Sequence, residues 1–387
     1  MQRSHMAGNM RSRSAAPGVA AVPMRAARPV LARPTVPASP MAHLLDAGVL
    51  PQQQMMQAGK LSSHALTSQY LVRIRSLCSM GARAYPGIEI NPDALKIALE
   101  MDRERQVRKV RGPLHGIPVV LRDNIATGDR MKTRSQAPLA TNASCDSFIA
   151  ARLRAAGAVI IGKSNLRQWA SVSVPHASAS WADLTILAVG SEVDGSIVAP
   201  AATCGLVCIE PTGRGMGERL LAGPMAPSVR EAAWLLSAML GDAGAPLPLL
   251  DRAGLHGRRI GVAHSLFGQC ADTDTLMEHA LQALRQQGAE LVEFVPQAGR
   301  TAVEHVLRAH ALDALVGPTC HAAAFSDSVQ PHITVPAGSV RGSPAGLSFI
   351  GAAHGEAQLI AMAYAYEQAT LHRRTPALPS SITGALR

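Results

Sequence analysis

Short apolar runs of strand length recur along this chain, each followed by a segment with helical spacing. That alternation limits the possible folds more than any other feature. Ile117-Pro118-Val119-Val120-Leu121 and Val159-Ile160-Ile161-Gly162-Lys163 are two such runs, and residues 259–263 and 290–294 are two more. Between them, residues 146–156, 232–240 and 273–287 carry apolar side chains every three to four positions, as an amphipathic helix requires. Ser228 and Glu231 form a capping-box pattern, Gly288 closes the helix before it, and Asn91-Pro92 opens an earlier one. Ser62 and Ser63 cap a run that continues to about residue 78, and residues 165–170 read as a helical turn. Ile333-Thr334-Val335 and Leu347-Ser348-Phe349 make the final strands, followed by a helix over 356–372. The pattern predicts an α/β fold: a mixed, largely parallel central sheet covered by helices on both faces.

Residues 187–212 carry the most chemistry. An apolar approach ends at Gly190, a small-residue loop holds Asp194-Gly195-Ser196, and a second apolar run leaves through Leu206, Val207 and Ile209. Such a turn presents a hydroxyl. Gly195 lets the backbone bend tightly beside Ser196, and consecutive N–H groups there can point at a developing oxyanion. The same tripeptide is also common in ordinary turns, so the loop alone does not establish catalysis.

Composition sets the remaining bounds. Hydrophobic residues make up 47% and aromatics 3% of the 387 residues, so Ala, Leu and Val must build the core. The net charge is +10, but Arg3, Arg11, Arg13, Arg25, Arg28 and Arg33 all precede the first acid, Asp46. The rest is mildly basic, without the basic–aromatic interleaving of a nucleic-acid surface. Residues 1–40 are rich in Arg, Ala and Pro and predict disorder. A transit-like segment, or a start at Met6, Met10, Met24 or Met41, fits them as well. Residues 41–374 form one domain and 375–387 a tail. No apolar run is long enough to span a membrane. The six cysteines lack metal-site spacing, and if the run holding Cys204 and Cys208 is a strand, both face one side as buried thiols. A reducing, cytoplasmic setting fits them best, and no metal or organic cofactor is implied.

Four stretches together resemble the amidase signature family: Gly112-Pro-Leu-His-Gly-Ile-Pro-Val-Val-Leu-Arg-Asp-Asn, Gly157-Ala-Val-Ile-Ile-Gly-Lys-Ser-Asn-Leu, the Ser196 loop, and Ile333-Thr-Val-Pro-Ala-Gly with Gly346-Leu-Ser-Phe-Ile-Gly. The resemblance runs from about Met41 to Arg374. It is nearest the general amidase and peptide amidase branch, with tRNA-dependent amidotransferase A subunits more distant. It implies hydrolysis of a linear, small-molecule amide. Ser196 matches the nucleophile, and Val193, Asp194 and Gly195 match the backbone oxyanion donors.

Two of the family's catalytic roles are not matched. The family's Lys-Asp-Asn reads Arg122-Asp123-Asn124 here, and a guanidinium stays protonated where a buried lysine can act as a base. Gapless counting from Ser196 puts the bridging-serine position on Val172, with Ser173 the nearest hydroxyl. Glu210 stands where the family has lysine, Cys208 where it has glycine, and several internal segments are shortened. The expected function is therefore an impaired C–N hydrolase. The alternative is a non-catalytic family member that binds a small amide or a protein partner. Oligomeric state is open.

Overall fold

The computed structural model describes residues 44–79, 88–133, 141–164, 187–192, 197–212, 221–241, 250–263, 267, 270–294, 303–322 and 330–374. The N-terminal segment to residue 40, the tail from 375 and the helical turn expected at 165–170 lie outside them. Among the described residues, helices α1 (Val49–Gln57), α2 (Ser63–Ser79) and α3 (Ala94–Gln106) accompany β1 (Ile88–Ile90). The next elements are β2 (Pro118–Arg122), β3 (Lys132–Thr133), β4 (Thr141–Asn142), α4 (Phe148–Ala155) and β5 (Val159–Ser164). Then come β6 (Leu187–Glu192), α5 (Val198–Thr203), β7 (Val207–Glu210), β8 (Leu221–Ala226) and α6 (Val229–Leu240). The rest comprises β9 (Arg259–Ala263), α7 (Ala271–Gln286), β10 (Glu290–Phe294), α8 (Val303–Ala309), β11 (Ala314–Pro318) and α9 (Thr319–Ala322). It closes with β12 (His332–Val340), β13 (Ser343–Ile350) and α10 (Glu356–Thr370).

Eleven strands form one sheet in the order β1-β5-β2-β6-β8-β7-β12-β13-β11-β9-β10. The trio β5-β2-β6 and the trio β11-β9-β10 are parallel. Every pairing between them, from β6-β8 through β13-β11, is antiparallel. The sheet is thus mixed as expected, but its middle corrects the expectation of largely parallel pairing. The sequence hid this because β12 and β13 form a hairpin through Arg341-Gly342, and β8 contains Gly223 and Pro224, residues that read as a loop.

Both faces are covered. β5, β7 and β11 are buried at every position, which a half-exposed strand would not be. On β13, Phe349 packs edge-on against Tyr366 of α10, while Gly346, of opposite parity, faces Ala202 of α5. Leu, Val, Ile and Ala supply most of the core, with few aromatics. Burying a side chain such as Leu235 or Leu236 of α6 contributes about 1.5–3 kcal/mol.

Helix ends show how sequence signals are spent in three dimensions. Ser228 Oγ accepts from Glu231 N at 3.3 Å, as the capping-box pattern predicts. The Glu231 carboxylate, however, accepts from Val49 N at the start of α1, at 2.5 Å. Glu367 of α10 in turn accepts from Val229 N at 2.8 Å. Each carboxylate meets an orphan N–H and the positive end of a helix dipole. Asn91 accepts from Asp93 N and donates to Ile160 O, pinning the start of α3 to β5. Pro92 sits in the turn before that helix, which begins at Ala94. Cys204 lies in the turn after α5 and Cys208 in β7, so they do not share a strand, although both are buried thiols outside any disulfide.

Candidate active site

Arg122 ends β2, and the neighbouring parallel strand β6 runs in the same direction toward residues 193–196. The short helix α5 begins two residues after Ser196. In α/β sheets, sites form beyond the C-terminal ends of parallel strands, and this edge is such a place. Ser196, Val193, Asp194, Gly195 and Ser173 all lie outside the described residues. Arg122 lies within them.

The Arg122-Asp123-Asn124 segment is a tight turn, closed by Ile125 N donating to Arg122 O at 3.0 Å. Asp123 N donates to Ser164 O at 3.0 Å, which continues the β2–β5 ladder past the strand end. Two contacts then converge on one residue of β6. Arg122 Nη1 donates to the main-chain oxygen of Ser191. The Ser191 hydroxyl donates to Asn124 Oδ1 at 2.6 Å. The turn therefore grips β6 five residues before Ser196, and its guanidinium acts as a donor.

Two other basic groups, Lys163 and His115, flank this strand, and neither shares the position of Arg122. Lys163 is fully buried and desolvation holds its amine below the ordinary lysine range, as a base would need. Its register partner, however, is Leu121, whereas Arg122 pairs with Ser164, so Lys163 and Arg122 point to opposite faces. Lys163 Nζ donates instead toward Lys132 O at 3.4 Å. His115 is fully buried, bonds Met101 O through Nε2 at 2.9 Å, and is kept neutral mainly by burial. It precedes β2 and so sits at the opposite end of the strand from Arg122, more than about 13 Å away at 3.3 Å per residue.

Sequence reasoning missed Ser164 and Ser191. Ser164 Oγ is buried, on the same face as Arg122, and has no partner among the described residues. Ser191 is fully buried and receives both contacts from the turn. A polar residue at the C-terminal end of a buried strand was the available signal in each case.

The family model for Amidase matches residues 74–182 and 176–316. This chain belongs to the amidase family. It is 32% identical over 262 residues to the "Putative amidase" of Arthroderma benhamiae, covering 53% of this chain and 44% of that protein. It is 30% identical over 301 residues to the A subunit of the glutamyl-tRNA(Gln) amidotransferase of Roseiflexus castenholzii, covering 66% of this chain and 61% of that one. The chain spans about half the length of the curated relatives it matches. Among solved structures, the peptide amidase of Stenotrophomonas maltophilia aligns with a TM-score of 0.74 at 30% identity, over 87% of this chain and 99% of that one. An amidase family protein of Bacillus anthracis aligns at 0.76 with 25% identity, over 87% and 94%. The amidase fold thus accounts for the mixed sheet. Among the described residues, no His/Cys/Asp/Glu group could hold a metal and no helix is long and apolar enough to cross a membrane.

Proposed function

We propose that this amidase-family chain is a C–N hydrolase that acts on a small linear amide through Ser196. Val193, Asp194 and Gly195 supply backbone N–H groups to the oxyanion, and Ser173 is the nearest candidate for the bridging hydroxyl. The observation that carries the reading is Arg122, fixed at the C-terminal end of β2 beside the strand that leads to Ser196 and donating to Ser191 O. It occupies the position of the family's lysine, yet a guanidinium that donates cannot remove a proton from a serine. Loss of a catalytic base costs about a hundredfold to ten-thousandfold, so the proposed enzyme is slow. The relatives named amidase and peptide amidase support an amide substrate. A cytoplasmic setting follows from the cysteine usage alone.

The test is labelling of the folded chain by a serine-directed fluorophosphonate beside its Ser196→Ala variant. Label on Ser196 that the variant loses supports the hydrolase. A folded chain that takes no label sinks it and favours the second reading, a non-catalytic family member that binds a small amide or a protein partner. That second reading draws on the same donation from Arg122.

A further inference from the structure

The outer side of α3 and the turn after it carry a surface that serves neither the core nor the candidate active site. Lys96, Leu99, Arg103 and the C-cap Val107 fall on one stripe, because helical residues three and four apart share a face. All four are exposed, whereas Ala94, Ala98 and Met101 of the same helix are buried. The turn continues the surface with Arg108, Lys109 and Val110, also exposed. Val107 is 75% exposed, Val110 49% and Leu99 42%. They are three of the seven large hydrophobic side chains exposed among the described residues, and they lie within twelve consecutive residues. Scattered singly they would need no explanation, but here they are aligned.

Charges along this stretch do not cancel. Residues 93–111 contain four carboxylates, and the fold engages each one. Asp93 pairs with Arg130 at 2.7 Å, Glu100 with Arg103 at 3.2 Å, and Glu104 with Arg111. Asp102 accepts from Ser63 N at 2.6 Å and His64 N at 2.9 Å, at the start of α2. Lys109 is near enough to Glu104 to act on it, but Arg111 holds that carboxylate. Lys96, Arg108 and Lys109 form no ion pair among the described residues.

Arg108 stands where the backbone favours a different residue. Arg108 N donates to Arg105 O at 2.9 Å and Lys109 N to Glu104 O at 2.8 Å, the paired bonds that commonly close a helix. Arg108 itself has φ 61, in the left-handed region that glycine usually occupies. The helix dipole favours Arg103 and Arg105 in the last turn, but it gives no reason to expose two valines or to hold a cation in strained backbone.

Apolar side chains ringed by uncancelled cations complement apolar side chains ringed by carboxylates. Residues 93–111 include no aromatic side chain on which a base could stack or that could enter a lipid interface. Leu99 and Val107 are separated by about 12 Å along the axis, the span of roughly two turns of a second helix laid beside α3. We propose that Lys96, Leu99, Arg103 and Val107, with the turn Arg108-Lys109-Val110, form a docking surface for an acidic amphipathic helix of a partner protein. Arg111 follows the turn, donates to Arg154 O at the end of α4, and leads into the start of β2, whereas Arg122 ends that strand. The surface therefore does not rest on the hydrolase reading.

The test titrates the full chain into a fluorescein-labelled helical peptide of Glu, Leu and Ala, beside a matched peptide with Gln for Glu, and reads anisotropy. The Glu peptide should bind saturably and more weakly as salt rises, and the Gln peptide about tenfold more weakly. Arg108→Glu combined with Lys109→Glu should weaken the Glu peptide by about tenfold or more, and Val107→Ser by about fivefold. Arg108→Gly separates binding from folding: it relieves the backbone, so the melting temperature should hold or rise while affinity falls. Equal binding by the parent and these variants, or no binding of the Glu peptide by the folded parent, overturns the proposal. Tighter binding of a thymidine oligonucleotide, or of phosphatidylserine–phosphatidylcholine vesicles, than of the Glu peptide also overturns it and assigns the surface to nucleic acid or to a membrane.

Discussion

Arg122 and Ser191 are joined side chain to backbone: the guanidinium at the end of β2 donates to the main-chain oxygen of Ser191 on β6. That contact, together with the Ser191 hydroxyl on Asn124, fixes the strand that leads to Ser196. Replacing Arg122 therefore tests a structural role as well as a chemical one. Arg122→Ala should destabilise the fold by about 1.5–3 kcal/mol, the usual worth of a charged hydrogen bond, measured by urea unfolding. Arg122→Lys should retain most of that stability. On the proposed hydrolase reading it should not by itself produce efficient hydrolysis, because that reading leaves the bridging position without a matched serine, and robust turnover by that variant would refute the assignment.

Glu367 gives a pH dependence with a defined sign. Its carboxyl is raised from 4.5 to about 7, chiefly by burial, against the opposing bond from Val229 N. A raised folded pKa means the stabilisation is fully present below 4.5 and is lost as pH rises through about 7. The full difference corresponds to at most about 3 kcal/mol. Melting temperature should fall between about pH 5 and 8, and Glu367→Gln should flatten that slope.

Gly223 sits in β8 between β6 and β7, where a Cβ would stand 2.2 Å from Ile209 O and 2.5 Å from Ile197 Cδ1. The backbone oxygen cannot move without breaking the sheet. Gly223→Ala should cost about 3 kcal/mol or more by overpacking and displace Ile197, the residue after Ser196. A thermal melt within about one degree of the parent would contradict this packing.

Cys270 stands at the N-cap position of α7, and hydrogen bonding with Thr273 holds its thiol below the ordinary cysteine range. The thiolate is the reactive form. At neutral pH, iodoacetamide should modify Cys270 faster than exposed Cys145, as read by peptide mass spectrometry.

Much of this architecture was legible in the sequence. Local periodicity located β2, β5, β9, β10, α4, α6 and α7, because each obeys its own pattern of apolar spacing and caps. Local pattern failed at β8, where Gly223 and Pro224 are tolerated only because neighbouring strands fix the backbone, and at β11 and α8, short elements that packing rather than propensity maintains. Arg122 was visible as a residue type; its contact with Ser191 was not.

The sequence by itself determined which groups are present: a guanidinium at position 122, a serine after Gly195, an acid at position 210. Tertiary structure alone decided what those groups meet. Register set Lys163 on the face away from Arg122, strand length put His115 at the far end of β2, and three antiparallel strands brought Glu210, His332 and Ser348 onto one face. Residues over a hundred positions apart become neighbours through sheet pairing, and that pairing depends on the whole core rather than on any local run of residues.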